Sequence, residues 1–233
     1  MSFHFGLLPG GQHDAWSYDY LIPELEKLGH TATAISVPGD DPACGLEGHA
    51  EVARTALEGR SNVVVVGHSM SGNYLPLAAA RSDAVQMIFL CAMVPVPGLS
   101  MIDQFMREGT GMITVPFDET TPGEDGRDVI DPEVAIRCFY HDCSEELQQW
   151  ALSRLRFQAQ TIGTEPFPEN GWPDDVPASY VLCREDQAVS PAWSRRVAQE
   201  RLGTQAVELN GGHSPFFSRP KELARELAAL TEA

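Results

Sequence analysis

Five consecutive residues, Asn62-Val63-Val64-Val65-Val66, do most to limit what this chain can fold into. The four valines are β-branched and apolar, with no polar side to turn to water, so the run fits a strand covered on both faces. That environment requires helices on both sides of a parallel sheet, and the flanking sequence supplies them. Phe3–Leu8 is a short apolar run closed by the turn residues Pro9-Gly10-Gly11. Tyr18–Leu28 places Leu21, Ile22, Leu25 and Leu28 on one helical face and stops at Gly29. A strand over Thr31–Val37 and a helix over Leu46–Leu57 precede the valine run, and a helix over Met70–Arg81 and a strand over Val85–Met93 follow it. The first 93 residues therefore read β-α-β-α-β-α-β, a pattern that implies right-handed crossovers in an α/β fold.

The alternation then breaks. From Val94 to about Val176 no clear strand is visible, and Pro and Gly cluster at Pro95–Gly98 and Pro116–Gly126. Two helical patterns lie inside, Pro132–Tyr140 and Ser144–Leu155, whereas Thr114–Asp131 is acidic and reads as a mobile surface loop. The sheet pattern resumes with a strand over Ala178–Cys183, a helix over Pro191–Arg201, a strand over Ala206–Leu209 and a helix over Lys221–Leu230. The expected organisation is a core of residues 1–94 and 177–233 with a helical cap inserted at 95–176.

Charge narrows the partners. The 33 acidic and 16 basic residues leave a net charge of −17, which repels phosphate backbones and anionic lipid, so nucleic acid and membrane surfaces are set aside. The longest apolar stretch, Ala84–Leu99, holds Gln86, Pro95 and Pro97 and is too short to span a bilayer. Met1–Phe5 lacks the basic start of a targeting signal. Five cysteines without CxxC spacing fit a reduced, cytoplasmic setting and argue against a metal site.

Candidate chemistry gathers at strand ends. Gly67-His68-Ser69-Met70-Ser71-Gly72 joins the valine strand to a helix, the context of a nucleophile elbow, where small neighbours let strand and helix approach around a strained serine. Ser71 replaces the usual second glycine of that motif. His213 lies in Asn210-Gly211-Gly212-His213-Ser214, just past the strand over Ala206–Leu209. Asp186 follows the strand over Ala178–Cys183, and the order Ser69, Asp186, His213 is that of a Ser-Asp-His hydrolytic triad. Glu185 and Asp103 compete for the acid role, and Asp186 is favoured over Asp103 because it follows its strand more closely. An oxyanion needs two preorganised donors. The candidates are the backbone N–H groups of Met70, after the serine, and Gly11, in the loop after the first strand.

These stretches resemble a subgroup of the α/β-hydrolase superfamily that holds plant methylesterases, plant hydroxynitrile lyases and small bacterial esterases. The resemblance rests on LLPGGQHDAWSYDYLIPELEKLGH, VVVVGHSMSGNYLPLAAA, FYHDCSEELQQWALSRLR, CREDQAVSPAW and GGHSPFFSRP, which span residues 7 to 220. It implies an α/β-hydrolase fold of about six mostly parallel strands flanked by helices, with an inserted cap. It also implies Ser69 as nucleophile, His213 as base, Asp186 as its orienting acid, and Gly11 and Met70 as oxyanion donors. The departures matter. Pro9-Gly10 replaces the family's His-Gly. The lyases of the group carry Thr where Gly10 stands, Glu where His68 stands, and Lys where Ser214 stands. Without that lysine the resemblance implies hydrolysis.

The expected activity is a serine esterase acting on a small to medium apolar carboxylic ester through an acyl-enzyme, with no cofactor or metal required. The alternatives are a thioesterase or lactonase, a biosynthetic elimination or rearrangement on the same triad, or a ligand-binding protein on a hydrolase scaffold. Substrate-binding candidates are His13 in the oxyanion loop, Met93 at a strand end, and Phe139 and Trp150 among the cap aromatics. Pro76 should remove a helical hydrogen bond and kink the helix after Ser69 near Gly72. An exposed apolar cap face could pair two copies into a homodimer.

Overall fold

The computed structural model describes residues 1–116 and 119–231. Its first half runs β1 (His4–Leu8), α1 (Ile22–Lys27), β2 (Thr31–Ala34), α2 (Leu46–Ala56), β3 (Val63–His68), α3 (Leu75–Arg81) and β4 (Gln86–Leu90). Next come α4 (Met101–Glu108), β5 (Thr120–Pro122), β6 (Arg127–Ile130), α5 (Pro132–Phe139), α6 (Glu145–Leu152), β7 (Gln158–Ala159) and α7 (Thr161–Thr164). The chain then returns through β8 (Ala178–Cys183), α8 (Pro191–Leu202), β9 (Val207–Leu209), α9 (Pro215–Ser218) and α10 (Pro220–Leu230).

Six strands form a parallel sheet in the order β2-β1-β3-β4-β8-β9. The order reverses between β1 and β3, because the chain steps outward from β1 to β2, then crosses back and builds the other way. The crevice at the carboxyl ends of such a pair is where open α/β sheets bind ligands. The valine run explains why β3 sits in the middle. Val63 and Val65 pack with Ala53, Ala78 and Val197, whereas Val64 and Val66 pack with Leu25, Leu223 and Leu227 on the opposite face.

Two expectations for the backbone need correction. The continuous helix expected over Met70–Arg81 is a 3-10 turn at Ser69–Asn73, a break at Tyr74, and then α3. Pro76 lies in the first turn of α3, where its missing N–H has no helical partner to lose, so the expected kink is a fresh helix start. The stretch between β4 and β8 also contains strands. Thr114–Asp131, read as a loop, holds β5 and β6, which with β7 form a three-stranded antiparallel sheet; residues 117 and 118 lie outside the described residues.

The segment between β4 and β8 is anchored to the core by directed polar contacts. Ser100 and Asp103 form a reciprocal capping box that starts α4. At the other end of α4, Glu108 accepts hydrogen bonds from Trp193 Nε1 at 2.7 Å and Arg201 Nη2 at 2.6 Å, and pairs with Arg196. Arg201 also donates to the Val94 carbonyl at 2.7 Å, so α8 holds both α4 and the exit from β4. Among the described residues, no helix is long and apolar enough to cross a membrane.

Gly72 marks the closest approach of the turn after β3 to the chain beyond β4. A Cβ there would lie 1.9 Å from the Met93 carbonyl oxygen, a backbone atom that cannot swing aside. Gly72→Ala is therefore expected to destabilise the protein by about 3 kcal/mol or more. Urea unfolding measures this, and a midpoint equal to that of the parent would contradict the packing described.

Candidate active site

Ser69 ends β3 with φ of +54°, a left-handed conformation that costs a residue with a side chain about 1–2 kcal/mol. The surrounding contacts hold it there. The Ser69 carbonyl accepts the Met93 N–H at 3.0 Å. Ser71 is buried and donates its hydroxyl to the His68 carbonyl at 2.8 Å, with the Leu8 carbonyl 3.2 Å away. That explains how serine substitutes for the second glycine of the elbow: it is small, and its polar atom is engaged. Gly67 is needed where it stands, since a Cβ would press on the Leu75 side chain at 3.0 Å.

Two loops beyond, Asp186 and His213 meet. Asp186 Oδ2 lies 2.9 Å from His213 Nδ1, and both residues are buried. Asp186 Oδ1 accepts the N–H groups of Ala188 at 2.7 Å and Val189 at 2.9 Å, which fixes the carboxylate plane. The carboxylate therefore selects the Nδ1–H form of His213 and leaves Nε2 as a proton acceptor. The two competing acids are engaged elsewhere. Glu185 receives the Gly211 N–H, and Asp103 caps α4 through Ser100.

The loop after β1 supplies the third component. Gly11, Ser69 and Met70 line one cavity of about 120 Å³. Among the described residues, no acceptor takes the N–H of Gly11 or of Met70, so both donors are open. Gly10 has no room for a side chain, since a Cβ there would meet His68 Nδ1 at 2.7 Å and the Ser69 Cβ at 3.0 Å. The departures at positions 10 and 68 thus share one volume: the His68 ring fills the space that a larger residue 10 would need.

Two more histidines border the site. His68 donates Nε2–H to the His213 carbonyl at 2.9 Å and packs its ring 4.6 Å from that of His213. His13 donates Nδ1–H to the Gly11 carbonyl at 2.7 Å and accepts the Tyr140 hydroxyl at Nε2 at 2.6 Å. Burial lowers both from the ordinary histidine range, His13 to about 4 and His68 well down. Both rings are therefore neutral at neutral pH, and neither places a positive charge beside His213. Among the described residues, Cys91, Asp186 and His213 bring a sulfur, an oxygen and a nitrogen within 4.8 Å. Burial drives the Cys91 thiol well above its usual range, and the Asp186 oxygen and His213 nitrogen are already hydrogen-bonded to each other.

The cavity wall is largely apolar. Met93 and Phe139 line it, joined by Met101, Ile113 and Val189. Two substrate-contact expectations need correction. Trp150 does not line the cavity; it packs in an aromatic cluster 5.4 Å from Trp16 and 5.8 Å from Phe217, with the Arg154 guanidinium 4.2 Å above its ring. Helical spacing grouped it with apolar neighbours but could not tell which side of the cap they face. His13 is likewise off the wall, with both ring nitrogens already engaged. Gln12, Asp128 and Gln158 do line the cavity and carried no motif that would single them out.

Comparison with known proteins bears on the family and the fold. A family profile described as "Alpha/beta hydrolase family" matches residues 7–226. The chain is 27% identical over 253 residues to methylesterase 2 of Arabidopsis thaliana, covering 98% of this chain and 96% of that protein. It is 26% identical over 252 residues to an alpha-hydroxynitrile lyase of the same plant, covering 97% and 96%. The crystal structure of polyneuridine aldehyde esterase superposes with a TM-score of 0.81 at 23% identity, over 99% of this chain and 100% of that one, which establishes the shared fold.

His13 and His68 give stability a pH dependence, in the same direction as His4 and His49, which burial also lowers. The unfolded chain takes up protons at His13 and His68 near 6.5, whereas the folded protein resists until well below that value. Stability is therefore complete above pH 6.5 and falls as the pH drops, by about 1 kcal/mol per histidine between pH 6.5 and 5.5. Urea midpoints measured at pH 7.5, 6.5 and 5.5 should decline over the lower step. Constant midpoints would contradict neutral burial of these rings.

Proposed function

The chain belongs to the alpha/beta hydrolase family, and from that membership we propose that it is a serine hydrolase cleaving a small to medium apolar carboxylic ester through an acyl-enzyme on Ser69. What carries this reading is a single juxtaposition. A serine in a left-handed turn and two open backbone donors line one apolar cavity, and the His213 ring, oriented by a buried carboxylate, packs 5.5 Å from Phe139 of the cavity wall.

The chemistry follows from the hydrogen bonds. His213 Nε2 takes the Ser69 hydroxyl proton as the oxygen attacks the ester carbonyl, and the Nδ1–H···Asp186 bond stabilises the imidazolium that forms. The negative charge developing on the carbonyl oxygen is met by the Gly11 and Met70 N–H groups, which are held in place before the reaction begins. His213 returns the proton to the leaving alcohol. A water deprotonated by the same ring then attacks the acyl-enzyme, and the ring returns that proton to Ser69 Oγ as its bond to the acyl carbon breaks and the acid leaves.

Several features favour hydrolysis over the lyase chemistry named for one relative. The whole chain has two lysines, Lys27 and Lys221, and neither falls in the motif around His213. The residue after that histidine is the fully buried Ser214, so no positive charge stands there to hold a departing anion. The apolar wall suits an acyl group without charge, and an anionic one would meet the Asp128 carboxylate at the cavity. The names of the curated relatives, methylesterase 2 among them, support an ester as substrate.

The test is hydrolysis of p-nitrophenyl acetate and its longer homologues by the parent and by Ser69→Ala. The parent should turn over, with a preference for short to medium chains. The variant should keep its melting temperature and lose at least about 10,000-fold in kcat. Parent-level turnover by the folded variant would contradict the assignment.

A further inference from the structure

The turn that carries the Gly11 amide is not held by the core alone. Gln12, the next residue, has φ of +65°, a second left-handed conformation in a residue with a side chain. Among the described residues, every hydrogen bond of Gln12 is to the segment between β4 and β8. Its N–H donates to Gln158 Oε1 at 3.0 Å, its carbonyl accepts the Arg156 N–H at 2.9 Å, and its own Oε1 accepts the Ile130 N–H at 2.9 Å. The three partners come from β6, from β7 and from the residue two positions before β7.

Gln158 has the geometry of a clamp. It is buried, and its amide has only one orientation that satisfies its neighbours. Nε2 donates to the carbonyls of Gly39 at 2.7 Å and Ala159 at 3.1 Å, both of which can only accept. Oε1 must therefore face the Gln12 N–H. The Gly11–Gln12 peptide is in this way gripped at both ends, its N–H by Gln158 and its carbonyl by His13, which is itself fixed by Tyr140. The preceding peptide, which carries the Gly11 N–H, has its carbonyl held by the His13 N–H at 3.2 Å, so with the planes on both sides of Gly11 tied the N–H has little freedom to turn. Gly11 has no side chain to limit its own rotation, so the restraint has to come from the neighbours.

We propose that Gln158 is a positioning residue for the oxyanion hole: by clamping the Gly11–Gln12 peptide it aims the Gly11 N–H, so that the hole is complete only when β6 and β7 are docked. This rests on the hydrolytic reading given above. An oxyanion donor acts on the transition state far more than on the bound ester, so loosening it should lower kcat and leave KM nearly unchanged.

The experiment compares the parent with Gln158→Leu, in which an apolar side chain of similar size cannot accept from Gln12. Turnover is expressed per serine titrated at the end point by a fluorophosphonate, which counts only folded sites. The expected result is a fall in kcat of about 100-fold, with KM within threefold. The inhibition constant of a trifluoromethyl ketone, whose hemiketal oxyanion mimics the tetrahedral intermediate, should rise in parallel with the loss in kcat. A purely structural role would lower the titrated fraction and the melting temperature without moving kcat per site. Should Gln158→Leu fail to fold, Gln158→Met, unbranched and of the same length, carries the same expectation. A kcat per site within threefold of the parent, or an inhibition constant that does not follow kcat, would overturn the clamp while the parent's activity keeps the hydrolytic reading intact. An inactive, unlabelled parent would overturn both.

Discussion

A strand buried on both faces has to end somewhere, and β3 ends in a strained turn. Ser69 leaves the sheet with φ of +54°, between β1 on one side and β4 on the other. The turn can hold this shape because Gly72 lets the backbone lie against the Met93 carbonyl, and because Ser71 engages its hydroxyl internally. Such a turn is costly in isolation and persists when its surroundings over-determine it. The two hydrophobic clusters on either side of β3 supply that rigidity.

The same sheet order places the remaining components. Reversal between β1 and β3 sets the loop carrying Gly10 and Gly11 beside the Ser69 turn. β8 and β9, added on the far side of β4, deliver Asp186 and His213 from their own carboxyl ends. Two neutral rings border the arrangement: His68 carries the His213 backbone, and His13 carries the Gly11 carbonyl. The segment between β4 and β8 closes the cavity and also reaches the loop after β1 through Gln158, Arg156 and Ile130. In the proposal made here, that segment shapes substrate binding and completes the transition-state donor set together.

Much of this was legible in the sequence because its signals are local. The valine run, the small residues around Ser69 and the glycine turns at strand ends each follow from short-range sterics, and each lies where the pattern puts it. Asp186 was separable from Asp103 by distance from its strand, and the Ser100-x-x-Asp103 spacing held a capping signal that assigns Asp103 to the start of α4. The small antiparallel sheet was not legible. Its strands are two to four residues long, and β7, paired with β6, is also held by the carbonyl of Gly39, more than a hundred residues away in the chain. Gln158 shares that blindness, since a lone glutamine carries no motif and its role comes from what folds against it. Trp150 shows the converse, an aromatic residue in a helical stripe whose facing was decided by Trp16 and Phe217.

The central claim is that one serine, held in a strained turn, is made nucleophilic by its surroundings. Intact-protein mass after incubation with a fluorophosphonate, followed by peptide mapping, tests it most directly. The account predicts a single adduct on Ser69, formed by the native protein and absent after denaturation. An unlabelled native protein, or an adduct on any other residue, would contradict it.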